Sequence, residues 1–328
     1  MIRSRPLAGP SYSRRKVLGL LAGGAACACC GGVHANKLAY GLAATEIASG
    51  TWAVHGETQY FTLENGGNIV NTAFVEVPDG VVVIDTGPSK RYGEALIALI
   101  EQTVPGKEIL RVYNTHHHPD HFLGNQVFDH SLIAAPQQVI DNILTEGDAF
   151  ADNMYRLVGD WMRGTVLVAP VKVLEDTSEE IGGRQFSLFY LSGHTSSDLV
   201  IRDDETGVVF SGDLAFYYRA PTTPHADIDV WQQSLEALGS MDKELILPGH
   251  GLVDSGGESL SQTGDYLDWL QTNLSRAASN GLTMNEAMAL PIPDRFKAFD
   301  VVQTEYERSV VHMYLALEDD LMPLIEMK

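Results

Sequence analysis

The chain of 328 residues predicts an α/β fold: two mixed β-sheets packed face to face with helices outside, an αββα sandwich, followed by a C-terminal helical extension. Three observations carry that expectation. From Glu57 to about Val253, short strand-like runs alternate with amphipathic helical ones. Several of the strand-like runs end in turns that hold His or Asp beside Gly or Pro, as functional loops at one edge of a layered sheet fold do. Beyond Val253 the pattern turns helical, and the only joint is the short Ser255-Gly256-Gly257 turn.

In chain order, residues 1–35 read as a leader. Ser13-Arg14-Arg15-Lys16-Val17-Leu18 precedes a weakly apolar run from Gly19 to Ala26 that is too short to span a membrane, and Val33-His34-Ala35 is a small-residue cleavage site that starts the mature chain near Asn36. The pattern resembles a twin-arginine export signal; an ordinary Sec signal, a retained anchor or lipidation at Cys27 are the alternatives. Cys27, Cys29 and Cys30 are the chain's three cysteines, so the mature part has none. That excludes disulfides, a Cys nucleophile and thiolate metal ligands, and it suits a bacterial periplasm. The leader holds five basic residues (Arg3, Arg5, Arg14, Arg15, Lys16) and no acid, so its removal takes the formal charge from −21 to −26. So acidic a surface repels nucleic acid and anionic lipid. A small-molecule substrate is the expected partner, with no nucleic acid and no membrane insertion of the mature form.

Residues 68–77 and 81–84 read as antiparallel strands joined at Pro78-Asp79-Gly80. Residues 91–103 place Ala95, Leu96, Leu99 and Ile100 on one helical face. A buried strand over 109–113 leads into Asn114-Thr115-His116-His117-His118-Pro119-Asp120-His121, where five of eight residues can bind a metal. Pro119 disfavours the α region for His118, so the backbone stays extended and residues two apart point to one side. His116 and His118 can then share an ion, while His117 points away. Asp120 and His121 open a helix expected over 122–129 and face the same space from across the turn, which admits a second ion.

A strand over 132–135 and a helix over 137–144 follow. Residues 145–170, with Met154, Tyr155, Leu157, Trp161 and Met162 in loosely helical order, read as core or as a lid. Three later strand-like runs lead into Ser192-Gly193-His194, Ser211-Gly212-Asp213 and Pro248-Gly249-His250. Beside Asp213 the aromatic run 214–221 is a candidate substrate wall: Tyr217 and Tyr218 line it, Arg219 receives an anionic group, and His225 is a further candidate. The opposing reading packs Phe216 and Tyr217 on the sheet and leaves Arg219 in solvent. Asp227 or Asp229 caps a helix with Trp231, Leu235 and Leu238 on one face. His55, His130 and His312 read as ordinary surface or hydrogen-bonded residues. Residues 266–278, 284–290 and 304–321 form the extension, the last helix turning Tyr306, Val310, Met313, Leu317 and Leu321 inward.

The motif His116-x-His118-x-Asp120-His121, the later His194, Asp213 and His250, and the lead-in from Ile69-Val70-Asn71-Thr72-Ala73-Phe74 to Ile84-Asp85-Thr86-Gly87 resemble the metallo-β-lactamase superfamily over residues 50–255. The resemblance implies that His116, His118 and His194 hold one ion, Asp120, His121 and His250 a second, and that Asp213 bridges them. It implies two Zn²⁺, with Fe or Mn also accepted, and a hydrolase in which a hydroxide between the ions attacks an ester, thioester or lactone bond. Asp120 would orient that hydroxide and relay a proton to the leaving group. Asp85 would position a ligand imidazole, or its turn is purely structural. A bridging Asp213 resembles the glyoxalase II type and departs from true β-lactamases, so β-lactamase activity is an alternative. Residues 68–72 and 83–93 resemble more narrowly the exported zinc metallohydrolases of quinoprotein relay systems and the SoxH proteins of sulfur-oxidation clusters. That implies periplasmic dehydrogenase or sulfur-oxidation partners. Two rivals come from other classes: an Fe(II) persulfide dioxygenase, and a non-enzymatic metal-binding accessory protein of a periplasmic oxidation system.

Overall fold

The computed structural model describes residues 38–321; the leader expected over 1–35 lies outside them, as do the side chains of Asp320 and Leu321. Residues from Ala39 onward form one compact unit. Its first sheet runs in sequence order through β1 (Ala44–Ala48), β2 (Thr51–Val54), β3 (Thr72–Val77), β4 (Gly80–Ile84), β5 (Ile109–Tyr113), β6 (Ile133–Pro136) and β7 (Lys172–Leu174). Neighbours are antiparallel up to β4 and parallel beyond it. The second sheet contains β8 (Ser178–Ile181), β9 (Arg184–Leu191), β10 (Asp198–Asp203), β11 (Val208–Tyr217) and β12 (Leu245–Gly251), with β12 at one edge and β8 at the other. Only β11 and β12 are parallel in it.

Side-chain alternation explains why the sheets stack. Val82 and Ile84 of β4 and Val75 of β3 face Leu199 and Ile201 of β10 and Phe210 of β11 in a core between the sheets. Their chain neighbours Val81, Val83 and Phe74 face the other way, onto Tyr92, Leu96 and Ile100 of helix α1 (Lys90–Thr103). With period two, strands buried on both faces read as continuous apolar runs, as Val81-Val82-Val83-Ile84 does. Ser89 caps α1 by accepting from Tyr92 N.

The third core lies on the outer face of the second sheet. Val200, Val209 and Ile246 pack there against Trp231 and Leu238 of α4 (Ile228–Ser240), Leu267, Leu270 and Leu274 of α5 (Glu258–Ser279), and Tyr306, Val310 and Tyr314 of α7 (Val302–Leu321). The extension is therefore part of the fourth layer. Each Leu buried this way contributes about 1.5–3 kcal/mol. Asp227 is the α4 cap, accepting from Val230 N at 3.1 Å.

Several expectations need correction. The helix expected over 122–129 is one turn, α2 (Pro119–Phe122), followed by a 3-10 turn (Asn125–Val127). The helix expected to end at 144 continues as α3 (Gln137–Val158), and most of the segment read as core or lid belongs to it. Met154, Val158, Trp161 and Met162 are buried, so that face is core, while Tyr155 is exposed. Strand β3 starts at Thr72, not at residue 68, because Asn68 to Asn71 make loop hydrogen bonds instead. The sheets begin at Ala44, ahead of the expected boundary at 50. The short helix α6 (Met284–Met288) has a complete capping box between Thr283 and Glu286.

Candidate metal centre

The ligand-bearing residues come together from the turns after β5 and β9 and from within β11, which runs on through Asp213, and β12, which carries His250. His118 has φ −75° and ψ 147°, the extended backbone that Pro119 imposes, and the chain then turns into α2. His116, His118, His194 and Asp213 form one group whose ligating atoms lie within 4.8 Å of one another, and Asp120, His121 and His250 form a second. Asp213 reaches both. Its Oδ2 lies 3.3 Å from His194 Nε2 and 3.2 Å from His250 Nε2, and its Oδ1 lies 3.2 Å from His121 Nε2. Asp120 Oδ2 is 3.3 Å from His250 Nε2. His118 presents Nδ1 to the centre, 2.9 Å from His194 Nε2.

Hydrogen bonds on the outer side of the rings aim the ligands. His250 Nδ1 lies 2.7 Å from the Ile69 carbonyl, which can only accept, so Nδ1 carries the proton and Nε2 turns its lone pair inward. His121 Nδ1 donates to Asp85 Oδ2 at 2.7 Å, with the same result. Asp85 also accepts from Thr115 N and Oγ1, both at 2.8 Å, and holds a left-handed φ of 58°, a conformation non-glycine residues rarely take. Asn71 donates to the carbonyls of Pro248 and Gly251 and its N–H bonds Gly249 O, so one side chain clamps the turn that presents His250. Asp198 does this for His194, accepting from Thr195 N and Oγ1 at 2.9 Å; burial pushes its pKa up to about 7.

The donor set fits a pair of divalent cations. His116 Nε2, Asp120 Oδ2, His121 Nε2 and Asp213 Oδ1 are buried without a hydrogen-bond partner, each at a cost of roughly 1–3 kcal/mol that an ion at the centre would remove. Burial holds the pKa values of His116 and His118 well below the usual imidazole range and that of His194 at about 3, so these rings are neutral and able to ligate. His121 shows the complement. Burial disfavours its charge, but Asp213, Asp85 and Asp120 outweigh burial and raise its pKa far above the ordinary value. Three carboxylates around one imidazole call for positive charge there. Imidazole and carboxylate donors without sulfur suit Zn²⁺ and are also open to Fe and Mn.

A cleft of about 90 Å³ opens over the centre, with His118, Asp120, Asp213 and His250 in its floor and Tyr60, Phe61, Ile69, Phe150, Asn153, Arg219, Thr222, Pro224, His225 and Arg308 in its walls. Of the four expected wall residues, Arg219 and His225 are in it and Tyr217 and Tyr218 are not. Tyr217 directs its hydroxyl to Glu258 at 2.6 Å, and Tyr218 is exposed with a φ of 58°. Arg219 is neither solvated nor free: it is buried, with Nη2 paired to Glu305 at 3.3 Å. His225 Nδ1 lies 2.8 Å from His118 Nε2, and its own Nε2 lies 3.6 Å from Glu146 on α3. His117 is buried with no hydrogen bond to either ring nitrogen, its Nε2 standing 3.9 Å from Glu146 Oε1, and burial lowers its pKa to about 4. Sequence reasoning missed Arg308 and Glu146, which sit on helices far along the chain, and the clamps of Asn71 and Asp198. For these the only local signal was Asn or Asp near a ligand turn.

A profile of the Metallo-beta-lactamase superfamily matches residues 65–250. A linear primary-alkylsulfatase from a Pseudomonas species is 22% identical over 283 residues, covering 73% of this chain and 53% of the relative. A probable metallo-hydrolase, YqjP, from Bacillus subtilis is 25% identical over 210 residues, covering 53% of this chain and 64% of the relative. The chain thus spans only about half to two-thirds of these curated relatives. Among solved structures, a metallo-beta-lactamase from Pontibacter korlensis superposes with a TM-score of 0.55 at 22% identity, covering 69% of this chain and 99% of that one. The inverting sec-alkylsulfatase Pisa1 from Pseudomonas sp. superposes at 0.64 with 20% identity, covering 84% of this chain and 50% of that one. At such identities the structures share the fold.

Proposed function

The chain belongs to the metallo-beta-lactamase superfamily, whose profile covers residues 65–250, and from that premise we propose that it is a dinuclear zinc hydrolase of ester-type bonds in a small-molecule substrate. The observation that carries this is Asp213, whose carboxylate lies within 3.2–3.3 Å of imidazoles of both ligand groups, His194 of the first and His121 and His250 of the second. Two divalent ions held by these residues would supply Lewis acidity and lower the pKa of a bound water. The protein does the rest. Asp213 sets the spacing of the two ligand groups, Asp85 and the Ile69 carbonyl lock the tautomers of His121 and His250, and Asp120 stands beside the centre with one oxygen free of hydrogen bonds, suited to orient a water and pass a proton to the leaving group. Phe61, Ile69 and Phe150 give the cleft an apolar lining beside the ligands.

The donor set favours carboxylic ester, thioester or lactone hydrolysis of the glyoxalase II type, and the quinoprotein-relay and SoxH subgroup with its periplasmic dehydrogenase or sulfur-oxidation partners is the narrower form of this proposal. Sulfate ester hydrolysis is the second reading, favoured by the alkylsulfatase among the curated relatives. Export to the periplasm by the twin-arginine route completes the proposal. The protein should carry close to two zinc ions per chain and lose ester hydrolysis on chelation, regaining it with zinc. One tightly held iron, with oxygen consumed on a persulfide, would overturn the hydrolase in favour of a dioxygenase.

A further inference from the structure

We propose that Arg308, carried by α7 of the C-terminal extension, reads an oxyanion group on the substrate, so that the site selects esters whose apolar body ends in a single negative charge. This rests on the hydrolase reading above. The starting point is the charge balance of one cleft wall. Arg219 and Arg308 both line the cleft, and both turn to the single carboxylate of Glu305. Arg219 Nη2 donates to Oε1 at 3.3 Å, while Arg308 Nη1 donates to Oε1 at 3.1 Å and to Oε2 at 2.8 Å. Guanidinium does not lose its proton in proteins, so one carboxylate between two such groups leaves one positive charge on the wall.

The two arginines are not equivalent. Arg219 is immobilised: Nη1 donates to Ala220 O and Thr222 Oγ1, Nη2 also to Gln59 O, and the side chain is buried. Arg308 keeps 30% of its side chain exposed and lies over the Tyr60 ring at 5.2 Å. Its Nε and Nη2 have no hydrogen-bond partner among the described residues, which leaves two donors for a planar oxyanion. Glu305 is fully buried, and Arg219 alone suffices to neutralise it; a second guanidinium is surplus to that structural need. The surplus also opposes the sign of the chain, which has 43 acidic against 22 basic residues. An anionic substrate is repelled by such a surface, so its capture calls for a local cation. Tyr60, Phe61, Ile69 and Phe150 provide apolar walls for the body between the anion and the scissile bond.

The test uses zinc-loaded full-length mature protein and two matched probes with one scissile ester each, monomethyl suberate and methyl octanoate, which differ only in a terminal carboxylate against a methyl group. The wild type should prefer the charged ester by about 10-fold to 100-fold in kcat/KM, the range of one charge-assisted hydrogen-bonded contact. In Arg308→Gln that ratio should fall towards one. A wild-type ratio near one overturns the proposal and leaves the hydrolase reading standing. A ratio that survives in Arg308→Gln assigns the recognition elsewhere and overturns it too. If neither ester is turned over, the hydrolase reading is what failed, and calorimetric binding of monomethyl suberate decides the proposal. Weaker binding by the variant supports it, and equal binding overturns it. Arg308→Met, which keeps the aliphatic stem over Tyr60, serves all these readouts if the Gln variant does not fold.

Discussion

Each oxygen of Asp213 faces a different set of imidazoles, Oδ1 towards His121 and Oδ2 towards His194 and His250. Asp213→Ser removes the shared carboxylate but leaves His116, His118 and His194 as a three-imidazole set. Zinc analysis should then find about one ion per chain in place of two, with ester hydrolysis reduced on the order of 10²-fold; two ions bound as tightly as in the wild type would show that Asp213 does not bridge. The pH dependence of the metal-free protein follows from the same residues. Burial depresses the pKa values of His116, His118, His117 and His194, the last two to about 4 and about 3. These rings bind protons less well folded than unfolded, so their contribution to stability is present above about pH 6.5 and is lost as the pH falls towards 4. His121, with its raised pKa, has the opposite sign, losing its contribution as the pH rises through its folded value. Asp198, whose carboxyl pKa burial raises to about 7, shares the sign of His121. Four groups oppose two, so calorimetry in chelator should give a lower Tm at pH 5 than at pH 7.5; a higher Tm at pH 5 contradicts the balance. At this scale the sequence was informative wherever neighbours within a few positions decide the geometry, as Pro119 does for His118. It was silent on the partner of Arg219, because Glu305 lies 86 residues away.

Among the elements, the turn at the end of β12 is the most tightly constrained. A Cβ on Gly249 would lie 1.9 Å from Asp213 Oδ1, so glycine is required by the carboxylate that faces it. Gly249→Ala should therefore displace Asp213 and weaken zinc binding while secondary structure by circular dichroism stays close to wild type; two tightly bound zinc ions in that variant would refute the close approach. Similar contacts explain why α3 was cut short in the sequence reading. Glu146-Gly147-Asp148 looks like a helix end, yet Gly147 lies mid-helix where a Cβ would come within 2.3 Å of Leu167 Cδ1. Glycine there answers to packing between distant segments, which periodicity cannot reveal. The aromatic run after Asp213 misled for a related reason: β11 continues through Tyr217, whose hydroxyl is taken by Glu258 on α5.

For the whole molecule, the layer order was legible because each strand's alternation and the ligand turns at strand ends agree with one architecture. The extension's place in the fourth layer was less so, since its apolar faces meet sheet residues such as Val200 and Ile246 only in three dimensions. The proposed export route is tested by changing Arg14 and Arg15 to Lys. Precursor should then accumulate in the cytoplasm, and unchanged periplasmic levels would point to Sec. The clamp of Asn71 on the Pro248 and Gly251 carbonyls bears on when the centre can form. It joins positions 177 and 180 residues apart, and loop closure over such separations comes late in folding. A nascent chain that has not yet emerged past His250 holds a three-imidazole set but no aimed second site. Acquisition of a second ion would therefore wait until the chain past Gly251 has emerged and the clamp has closed, and a protein carried across a membrane in folded form would take its metals from the compartment where it was made.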